Sequence, residues 1–156
     1  MVWHLSKFSG SELIEFAVEV EKKGEKFYNS LAEKCDDDKA SELFQFLAKE
    51  EAKHQLDFSK LGEKLKEFNA RESFEGEYLE YVQSLVSSHM FNRDLDTILD
   101  KISTTEDAID FAINFEKDSI VFFIEFKNMV NASEAHVIEE LIGEERKHIK
   151  KLTALK

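Results

Sequence analysis

The chain has 156 residues, 42% hydrophobic and 35% charged, with a net charge of −12 at pH 7. That length suits one domain with a sizeable core. The acidity excludes a nucleic-acid binder, which needs clustered Lys and Arg against phosphate. A single cysteine, Cys35, excludes an internal disulfide and a four-cysteine metal site.

Five glycines and no proline leave little punctuation for short strands, so long helices are expected. The first is expected to start near Ser9 or Ser11, because Ser9 and Glu12 have capping-box spacing. Ile14, Ala17, Glu21, Gly24, Tyr28 and Leu31 recur in steps of three and four and mark its buried face. The Asp36-Asp37-Asp38 cluster supplies an N-cap for a second helix, expected to end near Phe68. Its seam is Phe44, Leu47, Glu51, His54, Phe58, Leu61, Leu65 and Phe68.

Residues from about 69 to 104 break this regularity, with apolar residues at Tyr78, Tyr81, Val82 and Leu85, then at Leu95, Leu99 and Ile102. So long a connection is unlike the tight loop of a helical hairpin. It is expected to run the length of the bundle and pack its apolar residues on the outside. Thr104 or Thr105 caps a third long helix, with seam Ile109, Ala112, Glu116, Ser119, Phe123, Phe126 and Val130. After a break at Asn131-Ala132-Ser133, a fourth carries Ile138, Leu141, Glu145, His148, Leu152 and Leu155. The expected fold is therefore all-α, a single domain over 1–156. Its topology is a ferritin-like four-helix bundle with one long crossover between the second and third helices.

Two copies of Glu-x-x-His stand 94 residues apart, from Glu51 to Glu145, and end at His54 and His148. Each follows a lone seam glutamate, Glu21 or Glu116, and these are offset by 95 residues, from 21 to 116. An unpaired carboxylate is costly to bury, and four converging on one core would repel one another. Two divalent cations would cancel that repulsion if the histidines bind as neutral imidazoles, and would bring the net charge from −12 to −8. Residues three apart on a helix are neighbours, so each Glu-x-x-His pair can hold one ion. One glutamate from each of two helices and Glu-x-x-His from each of the others is the ligand set of di-iron and di-manganese carboxylate bundles.

The chain resembles the di-iron domain of the rubrerythrin family. The match comprises Ala17, Glu21, Gly24, Phe27 and Tyr28, then Glu50-Glu51 and His54. The second half repeats it with Ala112, Glu116 and Phe122-Phe123, then Glu144-Glu145 and His148. The resemblance implies that Glu51 and Glu145 bridge two iron ions, manganese or a mixed pair being the alternatives. It implies further that Glu21 with His54, and Glu116 with His148, complete one metal each. Two departures stand out. Rubrerythrins carry a further carboxylate where this chain has Ser119, and they typically append a four-cysteine rubredoxin module that one cysteine cannot build.

Gly24 and Ser119 sit one turn beyond the companion glutamates, either leaving space for peroxide, dioxygen or water or allowing close helix packing. Tyr28 is the candidate catalytic residue, its hydroxyl placed to bond a ligand carboxylate or pass an electron, with ordinary core packing as the alternative. Glu50 and Glu144 either orient a histidine or lie on a solvated face. His4, His89 and His136 lack matched seam partners and are set aside as non-ligands. The expected function is a candidate oxidoreductase that reduces peroxide or dioxygen with electrons from an external donor such as a rubredoxin-like protein. Ferroxidase or iron handling, or a metal-stabilised structural bundle, are the other readings. No apolar run approaches the ~18 residues of a membrane span, and Met1 to Phe8 lack the core of a secretory leader. A cytoplasmic protein is expected, with a homodimer as one open assembly.

Overall fold

The computed structural model describes residues 3–156; Met1 and Val2, the first two residues of the stretch read for a leader, lie outside the described residues. Four long helices form on the four apolar stripes: α1 (Gly10–Lys34), α2 (Asp38–Lys64), α5 (Thr105–Met129) and α6 (Ala132–Ala154). Between α2 and α5 the crossover contains α3 (Gly76–Ser88), a 3-10 turn at Met90–Asn92 and the short α4 (Leu95–Asp100). The chain docks α1 on α2 and α5 on α6 along most of their lengths, while α3 lies against α5. Among the described residues, no helix is long and apolar enough to cross a membrane.

The helix starts follow their capping residues. Ser9 accepts from the Glu12 N–H, as capping-box spacing requires, but the Glu12 carboxylate takes the N–H groups of Lys7 and Phe8. That grip fixes the chain's approach to α1 where Phe8 adopts a left-handed backbone, φ 53°. Asp37 caps α2, and Thr104 with Asp107 forms a full capping box at α5. Asn131 starts α6 without a side-chain cap bond.

The second helix stops at Lys64, four residues short of the expected Phe68. The cause is tertiary. Phe68 accepts from the Gly10 N–H and Ala70 donates to Phe8, so residues 68–70 pair with the start of α1 instead of extending α2. A Cβ on Gly10 would sit 2.0 Å from the Leu65 carbonyl oxygen, so only glycine permits this approach.

The crossover's inward face also differs from the expected one. Leu79, Val82 and Val86 are buried, whereas Tyr81 is exposed and Leu85 half-buried. Tyr78 lies at the edge and donates its hydroxyl to Glu125 on α5. The seam of every long helix is buried as its period predicts, save at the frayed ends Phe68, Val130 and Leu155, which are partly buried. That places Glu21, Glu51, His54, Glu116, Glu145 and His148 inside the bundle, each no more than 2% exposed.

Candidate metal centre

The helical period aims all six side chains at one point. Glu21 comes from α1, Glu51 and His54 from α2, Glu116 from α5, and Glu145 and His148 from α6. Glu21, Glu51, His54 and Glu145 place one ligand-type atom each within 4.8 Å of one another, and so do Glu51, Glu116, Glu145 and His148. Glu51 and Glu145 belong to both groups, the position a bridging carboxylate needs. The two oxygens of Glu145 divide between the imidazoles, Oε1 lying 3.1 Å from His54 Nδ1 and Oε2 2.9 Å from His148 Nδ1. His54 Nδ1 also lies 3.6 Å from Glu21, and His148 Nδ1 lies 3.2 Å from Glu116 and 3.3 Å from Glu51. The two rings stack at 5.6 Å with planes 16° apart.

Protein groups alone do not satisfy this cluster. Both oxygens of Glu21, Glu51 and Glu145, Glu116 Oε2, both nitrogens of His54 and His148 Nε2 are buried without an aligned hydrogen-bond partner. Native interiors rarely leave so many polar atoms orphaned in one place. A buried set of four carboxylates and two imidazoles fits two hard-to-borderline divalent cations in donor type, charge and number.

Electrostatics say the same. Burial, then the charge of Glu145, pushes Glu21 and Glu51 well above the ordinary carboxylate range, and Glu116 follows for the same reasons. Burial acts on Glu145 too, but the imidazoles of His148 and His54 facing it outweigh that and hold it well below that range. Burial opposes a charged His54, yet Glu145 prevails and raises the imidazole to about 9. His148 is likewise raised against burial by Glu116, Glu145 and Glu51. Without cations, the cluster gathers protons to offset its negative charge.

Tyr28 reaches across the bundle and donates its hydroxyl to Glu116 Oε1 at 2.5 Å. Burial and the negative charge of Glu116 raise its pKa well above the usual phenol value, which keeps it a donor. Its repeat counterpart, Phe123, packs on Phe58 at 4.9 Å between ring centroids, so only the Glu116 side has a hydroxyl of this kind.

The small residues beside the companion glutamates do not leave open space. A Cβ on Gly24 would meet the Phe115 ring at 2.7 Å, so that ring fills the position. Ser119 Oγ lies 3.2 Å from Nε2 of His89, a buried residue of the crossover. The Phe91 N–H donates to His89 Nδ1, which puts the ring proton on Nε2, facing Ser119. Burial lowers His89 to about 3, so it stays neutral. The packing of His89 on α5 has no counterpart in the sequence pattern. The exposed His4 and His136 pair with Gln83 and Glu140. Cys35, the C-cap of α1, lies 3.2 Å from Thr105 Oγ1 at the start of α5 and belongs to neither ligand group. Glu50 and Glu144 are both half-buried: Glu144 accepts from Lys147 Nζ at 3.1 Å, while Glu50 lies beside the two histidines.

Comparison with known proteins agrees with this geometry. The rubrerythrin family profile matches residues 12–156. A crystal structure of a candidate ferritin-like diiron-carboxylate protein from Thermotoga maritima is 26% identical, with a TM-score of 0.71 over 98% of this chain and 97% of that one. No curated protein matches the chain. With a match running from the first turn of α1 to the final residue, over a fold shared end to end with a diiron-carboxylate structure, the chain belongs to the rubrerythrin family.

Proposed function

We propose that this protein is a di-iron oxidoreductase that reduces hydrogen peroxide, with electrons drawn from a separate donor. The observation that carries the reading is the pair of overlapping glutamate and histidine groups sharing Glu51 and Glu145. In this reading Glu51 and Glu145 would serve both ions, Glu21 and His54 would hold one, and Glu116 and His148 would hold the other. Manganese suits the same donors; iron is favoured by the family's diiron-carboxylate relative. When bound, two ferrous ions supply one electron each to the O–O bond of peroxide, which with two protons leaves as two waters.

The chain's own residues supply binding, orientation and exclusion. Tyr28 holds Glu116 in place. Phe27, Phe44, Phe58, Phe115 and Phe123 are fully buried and keep the surrounding core dry. The proposed approach for a small polar reactant is between α2 and α6, where His54 lines a groove of about 510 Å³ with Lys53, Asp57, Gly143, Glu144 and Lys147. Removing the Tyr28 hydroxyl, in Tyr28→Phe, should weaken the Glu116-side ion by about tenfold. It should leave the other ion within about twofold, as read by metal titration. Equal weakening of both ions would contradict that assignment.

These 156 residues, with one cysteine, cannot build a four-cysteine iron centre, so in this reading electrons reach the cluster from outside this domain. A rubredoxin-like protein is the proposed partner, and a reducing cytoplasm is the proposed compartment, consistent with free Cys35. Stopped-flow mixing of the ferrous protein with peroxide tests the reading. Oxidation within the mixing experiment, with sustained peroxide consumption only when reduced rubredoxin or an artificial donor is added, is the expected result. A ferrous centre inert to peroxide would sink it. Fast oxidation by dioxygen, with iron retained in a large assembly, would replace it with ferroxidase chemistry.

A further inference from the structure

Glu50 and Glu144 occupy equivalent places in the two Glu-Glu-x-x-His repeats, each one turn before its histidine and each three residues before a lysine. The fold treats them differently. Glu144 turns outward to Lys147 Nζ at 3.1 Å and is 40% exposed. Both glutamates are half-buried, but Glu50 alone has its carboxylate with one ring nitrogen of His54 and one of His148 inside a 4.8 Å group.

Both imidazoles turn Nδ1 toward the glutamate cluster. A histidine that gives its Nδ1 lone pair to a metal carries its proton on Nε2. In both residues Nε2 is buried and has no hydrogen-bond partner. A buried N–H needs an acceptor, and metal-binding histidines commonly donate the far N–H to a carboxylate, which sets tautomer and ring angle. The rings are near-parallel, 16° apart at 5.6 Å, and one nitrogen of each falls within 4.8 Å of a Glu50 carboxylate oxygen. One carboxylate with two oxygens can serve both.

We infer that Glu50 is a positioning residue whose carboxylate accepts the Nε2–H of both His54 and His148, and that Glu144 has no such role. The inference rests on the two-metal reading. Because Glu50 holds both rings, its loss is felt at both ions, unlike the loss of either histidine alone. The two halves of the site thus share one orienting group supplied by α2.

The test uses metal-free full-length protein titrated with Co(II), followed by visible absorption and equilibrium dialysis, with Glu50→Ala, Glu50→Gln and Glu144→Ala alongside the parent. Glu50→Ala should weaken both Co(II) positions by about tenfold or more. Glu50→Gln, which keeps one acceptor oxygen, should fall between it and the parent, and Glu144→Ala should stay within about twofold. Nitrogen-15 spectra of the Zn(II)-loaded protein should show both Nε2 signals shifted in Glu50→Ala, a readout that simple loss of packing would not give. Glu50→Gln keeps the test open if the alanine variant fails to fold. Affinities within about twofold of the parent, weakening at one position only, or equal weakening by Glu144→Ala would each overturn the inference. A parent protein that takes up no Co(II) would overturn the two-metal reading along with it.

Discussion

Glu145→Gln should lower affinity for both metal ions by at least about 100-fold, a larger loss than removal of any orienting neighbour. Glu145 stands in both ligand groups and divides its oxygens between the two imidazoles, so neither ion is complete without it. His54→Ala should act mainly on the ion shared with Glu21, and His148→Ala on the one shared with Glu116. Metal titrations of the three variants check the pattern. A Glu145→Gln protein that still binds one ion at parental affinity would rule out the bridging assignment. The same logic gives an opposite sign in metal-free protein. Glu21→Gln should raise stability near neutral pH, because Glu21 is a buried acid whose ionisation the fold resists.

Metal should raise the melting temperature by about 8–16 °C near neutral pH. This corresponds to about 4 kcal/mol from ligand at 1,000 times its dissociation constant. Each kcal/mol moves the midpoint of a chain this size by about 2–4 °C. The pH dependence follows from the shifted groups. Glu21, Glu51 and Glu116 have folded pKa values above their unfolded ones, so they hold extra protons when folded. The metal-free protein therefore loses stability as pH climbs above about 4.5. His54, raised to about 9, adds stability that is full below about 6.5 and fades as pH rises through 9. Glu145 acts oppositely, its contribution present above about 4.5 and lost in acid as pH falls through its depressed value. Cations need the deprotonated cluster, so their stabilisation grows as that of the metal-free protein declines. The gap between loaded and metal-free melting temperatures should widen from pH 5 to pH 8, with proton release on binding. Equal melting temperatures with and without chelator at pH 7.5 would contradict the buried site.

Much of this was legible in the sequence because helical period is a local signal. The seams of α1, α2, α5 and α6 could be read residue by residue, and the six cluster positions came with them. What escaped depends on contacts between distant segments. Phe68 continues the stripe of α2 in period, yet its carbonyl is taken by Gly10 and the helix ends at Lys64. The crossover is short of periodic residues: of Tyr78, Tyr81, Val82 and Leu85, the apolar residues read there, Val82 is buried, and Leu79 and Val86 complete the inward face. No sequence pattern links His89 to Ser119, or the Phe115 ring to Gly24, because each pair meets only when separate elements pack. Glu50 and Glu144 hold the same place in the Glu-Glu-x-Lys-His motif, yet only Glu50 groups with both imidazoles, while Glu144 bonds Lys147. Repeated sequence predicts repeated helices; it does not predict that the two halves stay chemically equal.

Six buried side chains are assigned to two ions. Anomalous diffraction from crystals of the iron-loaded protein, collected on both sides of the iron absorption edge, tests that assignment most directly. Two peaks about 3.5–4 Å apart are expected. One should lie beside Glu21 and His54, the other beside Glu116 and His148, and both against Glu51 and Glu145. A single peak, peaks only outside the bundle, or an iron-free core in protein given excess Fe(II) would contradict it.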